Sequence, residues 1–212
     1  MGCDDRSGFA GSAARPLVNM PGLVSLLADL TCGDDECAEG AACDLPGFGP
    51  AAFAALCELA HTQAADTRWW AVRALAGWPS SDELTDALLV ALEDETVEVR
   101  QCAAVALSRH PDPRAVDGLV RSLSKTDALT VKLAGNALVC IGAAAVPALI
   151  ELLQNGKHSA RLEAARVLAG IKDPRAIPVL MKALAEDSTV MQYWAEHGLD
   201  QAGLGMVYLK PQ

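Results

Sequence analysis

The chain has 212 residues, 51% of them hydrophobic but only 4% aromatic, and 27 acids against 17 Lys and Arg give it a formal net charge of −10. An Ala- and Leu-rich composition with few β-branched residues favours helices over sheets, and no run of about 18 apolar residues is present to span a membrane. Residues 1–67 hold ten acids and two bases, whereas 68–212 hold seventeen and fifteen; this sign is opposite to the one that phosphate backbones attract, so no nucleic-acid partner is expected.

The opening Met1-Gly2-Cys3-Asp4-Asp5-Arg6 is acidic and has neither a basic nor an apolar leader region, so neither a signal peptide nor a lipidated Cys3 is expected. Seven cysteines, two of them (Cys102 and Cys140) inside helical patterns, fit reduced thiols in a cytoplasmic protein. Residues 1–47 read as an acidic, Cys-containing N-terminal cap and 48–212 as a repeat domain. Gly22 to Leu30 has a helical pattern. The stretch from Thr31 to Cys43 reads as an acidic loop. Cys32, Cys37 and Cys43, with Cys57 downstream, form a weak zinc candidate. The gaps between the first three are wider than the usual two to four residues, and the surrounding acids disfavour free thiolates, so no metal is expected.

From residue 68 onward the chain repeats itself. Copies start at positions 68, 100, 131, 161 and 192, at spacings of 32, 31, 30 and 31 residues. One column is Ala in every copy (Ala71, Ala103, Ala134, Ala164, Ala195) and another, four residues later, is Leu (Leu75, Leu107, Leu138, Leu168, Leu199). Positions i and i+4 share a helix face, so the pair predicts an interior seam where a methyl group admits a neighbouring helix and Leu fills the next turn. Each copy is followed by a second helix, expected over 83–94, 114–125, 144–154 and 175–186. Asp112-Pro113-Arg114 and Asp173-Pro174-Arg175 supply a capping carboxylate and a proline at a helix start. Residues 50–60 read as the second helix of a degenerate preceding unit. The fold class predicted is all-α, a right-handed α-α superhelix of about five helical hairpins, each stacking on its neighbours.

The motif V-R-x-x-A-A-x-A-L-G-x-I-x-D-P-R-A-V-P-A-L-I, matched best from Ala160 to Leu184, resembles the short HEAT-like repeats of phycobilin lyases and their relatives. The resemblance covers residues 68–199. It implies an architecture shared by scaffolds, chromophore lyases and some enzymes, without specifying a ligand. It also implies a structural role for the repeat-start arginines Arg68, Arg100 and Arg161, which in this family reach a carboxylate or helix-end carbonyls; Asp94 and Asp187 are the expected partners. Val131 and Gln192 depart from that column.

Two further groups stand out. Trp69, Trp70 and Trp78 lie near one end of the array and Tyr193, Trp194 and Tyr208 near the other, where solenoids need caps; the alternative is an aromatic anchor for a partner. Val90, Arg121, Glu151 and Lys182 occupy equivalent positions on the second helices, on the face expected to be concave and to bind a protein partner. Catalytic motifs are missing. Deoxyhypusine hydroxylases, of similar architecture, hold iron through repeated His-Glu dipeptides, whereas this chain has only Glu196-His197, once and reversed. The helical-repeat alkylpurine DNA glycosylases use a basic groove, which the acidic balance opposes. No phosphate loop, nucleophile elbow or metal motif is found. The sequence therefore predicts a non-enzymatic scaffold or adaptor without cofactors, with a phycobilin-lyase-like chromophore-handling protein or a metal-binding HEAT-repeat protein as alternatives.

Overall fold

A computed structural model describes residues 20–186 and 188–204. The described residues form twelve α-helices: α1 (Met20–Leu30), α2 (Asp35–Asp44), α3 (Pro50–Leu59), α4 (Ala65–Leu75), α5 (Asp82–Leu92), α6 (Val97–Arg109), α7 (Val116–Ser122), α8 (Ala128–Ile141), α9 (Val146–Asn155), α10 (His158–Ile171), α11 (Ile177–Ala183) and α12 (Thr189–Gln201). None of these is long and apolar enough to cross a membrane. The helices α2, α4, α6, α8, α10 and α12 stack side by side in one row, and the second-row helices α3, α5, α7, α9 and α11 each pack against the first-row helix that follows. The result is a helical solenoid of five hairpins, α2–α3 to α10–α11, flanked by α1 and α12.

The Ala/Leu seam accounts for this stacking. Ala71, Ala103, Ala134, Ala164 and Ala195 are all fully buried, and so are the Leu residues one turn on. The column just before Leu is also small and buried (Ala74, Ala106, Ala137, Val167, Gly198). A Cβ on Gly198 would lie 2.8 Å from Leu180 Cδ1 and 3.3 Å from Ala169 Cβ, so α12 sits as close to α10 and α11 as side chains permit.

The second helices start differently from the sequence expectation. Asp112-Pro113-Arg114 and Asp173-Pro174-Arg175 open 3-10 turns (Pro113–Ala115 and Pro174–Ala176), and the α-helices begin at Val116 and Ile177. Each Asp accepts a hydrogen bond from the amide two residues on, at 2.8 Å in Asp112–Arg114 and 2.9 Å in Asp173–Arg175. This tight closure leaves only seven residues for each α-helix.

The stretch read as an acidic loop is a loop only over residues 31–34, and from Asp35 it is a helix. Asp34 accepts from the Cys37 amide at 2.8 Å, capping α2, and Ala38, Ala41 and Ala42 turn inward against α4. Ala41 and Leu45 are buried thirty residues before Ala71 and Leu75, so α2 carries another copy of the seam. The expected division at 47/48 falls inside the 3-10 turn Leu45–Phe48 that joins α2 to α3.

Candidate functional site

The repeat-start arginines close helix ends. Arg68, only 6% exposed, donates from Nη1 to the carbonyls of Thr62 (3.1 Å) and Gln63 (3.0 Å), beyond the end of α3. Its other edge meets Asp94, Nε to Oδ2 at 2.7 Å and Nη2 to Oδ1 at 2.9 Å, and Nη2 also reaches Thr96 Oγ1 at 2.9 Å. Burial pushes the Asp94 carboxyl up, but the Arg68 guanidinium and the Thr96 amide outweigh it and hold the group below the ordinary Asp value. Arg100 donates to the carbonyls of Asp94 (2.7 Å) and Glu95 (2.9 Å). Arg161 donates to the Leu153 carbonyl at 2.7 Å and pairs with Glu186. Gln192 takes over the column's task at 2.6 Å from the Glu186 carbonyl. Asp187, the expected second partner, lies outside the described residues, and the carboxylate that meets Arg161 is that of Glu186. The column thus satisfies carbonyls that helix ends leave open, which occupies the guanidinium groups of Arg68 and Arg161 and the Nη1 of Arg100, whose Nε is buried without a partner.

Val90, Arg121, Glu151 and Lys182 are all exposed, on the second-row helices α5, α7, α9 and α11 respectively. Arg121 pairs with Glu93 at 2.7 Å, with both side chains largely in water. Val90 and Met181 add exposed apolar surface beside the charges.

The aromatic groups separate. Tyr193 and Trp194 lie on α12, the last described helix, in T-shaped contact at 5.0 Å, with His197 stacked 6.2 Å from Tyr193. Trp69 and Trp70, also T-shaped at 4.7 Å, lie on α4, and α1, α2 and α3 precede them. They are therefore not at the end of the array, because the stack extends further towards the N-terminus than the clear repeats suggest. Both indoles line an open cleft of about 890 Å³ between the α1–α2 connection and the starts of α2, α4 and α6. Asp35, Glu39, Asp66 and Glu98 line it too. Sequence reasoning missed this site: Asp66 and Glu98 recur two residues before Arg68 and Arg100, but the indole pair and the α1–α2 connection that complete the walls do not repeat. Tyr208 lies outside the described residues.

The four thiols do not converge on one point, although Cys32 and Cys37 are neighbours. Cys32, Cys37 and Cys43 are exposed and Cys57 is half-buried on α3. A hydrogen bond to the Cys32 sulfur, with Asp29 and Asp34 nearby, pushes the Cys37 thiol up to about 11. Among the described residues no group of three or more His, Cys, Asp or Glu is placed to hold a metal ion.

Comparison with known proteins places this array among relatives. The chain is 36% identical over 98 residues to the phycocyanobilin lyase subunit beta of Nostoc sp., an overlap of 46% of this chain and 48% of that protein. It is 33% identical over 98 residues to the phycobilisome maturation protein of Synechococcus elongatus, covering 46% and 47%. The chain spans about half the length of these curated relatives. Among solved structures, the complex of CpcE and CpcF of phycocyanin lyase from Nostoc sp. shares the fold at a TM-score of 0.51 and 21% identity, covering 92% of this chain and 81% of that one. The expectation of a non-enzyme is overturned by the Nostoc relative, which is named as a lyase subunit; a shared repeat architecture does not by itself separate scaffolds from enzymes. The family model described as HEAT repeats matches residues 53–139 and 132–200, more than half of the sequence, and the chain belongs to the HEAT-repeat family.

Proposed function

We propose that this chain is a phycobilin-lyase-like subunit that handles a linear tetrapyrrole together with a protein partner. The observation that carries the reading is the 36% identity to a phycocyanobilin lyase subunit within the repeat-bearing chain. The exposed side chains of the second row offer suitable chemistry. Arg121 and Lys182 supply cations for propionate groups, and Val90 and Met181 supply apolar surface for pyrrole rings. The Arg121–Glu93 pair is exposed, so opening it for a ligand carboxylate costs little, about 1 kcal/mol or less. The chromophore-handling role also accommodates the protein-binding surface read from the sequence, since a relative in the solved complex works as one of two subunits.

The test is a titration of phycocyanobilin into the purified chain, alone and with a co-expressed partner lyase subunit, followed by transfer to an apo-phycobiliprotein. A saturable shift of the visible band, weakened in Arg121→Glu/Lys182→Glu, supports the reading. An unchanged free-bilin spectrum in both settings, with no chromophore on the acceptor, overturns it.

A further inference from the structure

We infer that the cleft beside Trp69 and Trp70 is a docking groove for an extended, basic peptide segment of a protein partner. The inference does not depend on the bilin reading, because it concerns the first-row edge of the array. Three features carry it. The cleft has a volume of about 890 Å³, more than a lone amine needs, and opens to solvent. Its apolar wall is the T-shaped indole pair, half-buried and so presenting ring surface to the groove. Its polar wall is Asp35, Glu39, Asp66 and Glu98, and no Lys, Arg or His lines it. Glu39 is paired with Arg73; the other three have no ion-pair partner among the described residues.

Acids in a first helical turn ordinarily offset the helix dipole, and that competing explanation can be weighed. Each of the three helix starts contributes about half a positive charge, which leaves the groove negative even without Glu39. Indole faces attract guanidinium and ammonium groups, and the attraction grows where water is partly excluded. Packed helices lie about 8–10 Å apart, so three successive starts span about 20 Å, the reach of about six extended residues. Side chains on alternate residues of such a strand point the same way, which brings Lys or Arg against successive rungs of acid. An extended basic segment satisfies length, charge and aromatic wall together.

The experiment is calorimetric titration of the whole chain with an acetylated, amidated (Lys-Arg)3 peptide. Arginine methyl ester and a (Glu-Asp)3 peptide are run in parallel. Saturable 1:1 binding of the basic peptide that weakens with added salt, no binding of the acidic peptide, and a loss of about tenfold in Asp66→Asn/Glu98→Gln are expected. Trp69→Phe should retain part of the affinity and Trp69→Leu less, with circular dichroism confirming that both are folded. The variant Asp117→Asn/Asp200→Asn removes the same charge from exposed sites elsewhere. Equal weakening in this variant would reduce the effect to general attraction and overturn the groove. Arginine methyl ester binding as tightly as the peptide overturns the peptide assignment, and absence of binding overturns the site.

Discussion

Arg68 and Asp94 stand 26 residues apart and meet through two parallel hydrogen bonds, of 2.7 and 2.9 Å, joining the start of α4 to the turn after α5. Both side chains are nearly enclosed, at 7% and 11% exposure. Removing Asp94 alone leaves the enclosed guanidinium only the exposed Glu95 carboxylate, 3.3 Å away, so Asp94→Ala is expected to cost about 3 kcal/mol. The double change Arg68→Met/Asp94→Leu removes both charges and should recover part of that loss, the rest staying with the Thr62 and Gln63 carbonyls that Arg68 no longer closes. Urea unfolding of the three proteins checks this; a double variant less stable than the single one contradicts it.

Ala164 tests the seam. It is fully buried between neighbouring helices, and Ala164→Trp forces a large ring into space for a methyl group, at an expected cost of about 3 kcal/mol. Ala185→Trp, at an exposed position, should change stability little. Equal melting temperatures for the two variants would refute close approach at this column.

Lys172 ends α10 in the left-handed conformation, φ 61° and ψ 33°, which suits glycine better than a residue with a Cβ. Lys172→Gly should stabilise the chain by about 0.5 kcal/mol, less than the relieved strain because glycine also frees the unfolded chain. Lys172→Val should destabilise it. The denaturant midpoints of the two variants are expected to move in opposite directions.

Asp173 predicts a pH dependence. Side-chain and backbone hydrogen bonds from Arg175 lower its pKa from 3.8 to about 2. A carboxyl whose folded value lies below its unfolded value stabilises the fold above the unfolded pKa, and this contribution fades as pH falls through the folded one. Asp173→Asn keeps the capping oxygen but loses the charge. The stability gap between wild type and this variant should be constant above pH 5 and close between about pH 4 and 2. A gap that widens on acidification contradicts the assignment.

Cysteine reactivity should follow surroundings rather than exposure alone. Burial pushes Cys102 up to about 11, and the bond to Cys32 does the same for exposed Cys37. At pH 8 about one thiol in a thousand is then ionised at either position. Iodoacetamide labelling followed by peptide mapping should find Cys102 slowest and Cys37 behind exposed Cys43 and Cys140. Cys32→Ser should speed Cys37, and a Cys37 labelled as fast as Cys140 in the wild type contradicts the contact.

The architecture was readable because stacking makes a demand that recurs: one methyl-sized residue and one Leu per first-row helix, five times over. The copy in α2 escaped notice because only Ala41 and Leu45 preserve that demand, amid acids, a glycine and two cysteines. A search on the seam alone, thirty residues before Ala71, would have found it. The cleft was illegible for a different reason. The acids Asp66 and Glu98 follow the repeat, but Trp69, Trp70 and the α1–α2 connection join them in one cleft without any periodicity to record it. Chemistry was the least legible, since side chains on an exposed row follow the partner rather than the fold.

From α4 onward each hairpin rests chiefly on its immediate neighbours. Such an array is a spring made of separate coils. Pulled from its two ends, it should yield one hairpin at a time, each lengthening the chain by about 100 Å as some thirty residues straighten. Tension along the array would thus be absorbed in steps, with the distant hairpins keeping their shape while the loaded one gives way.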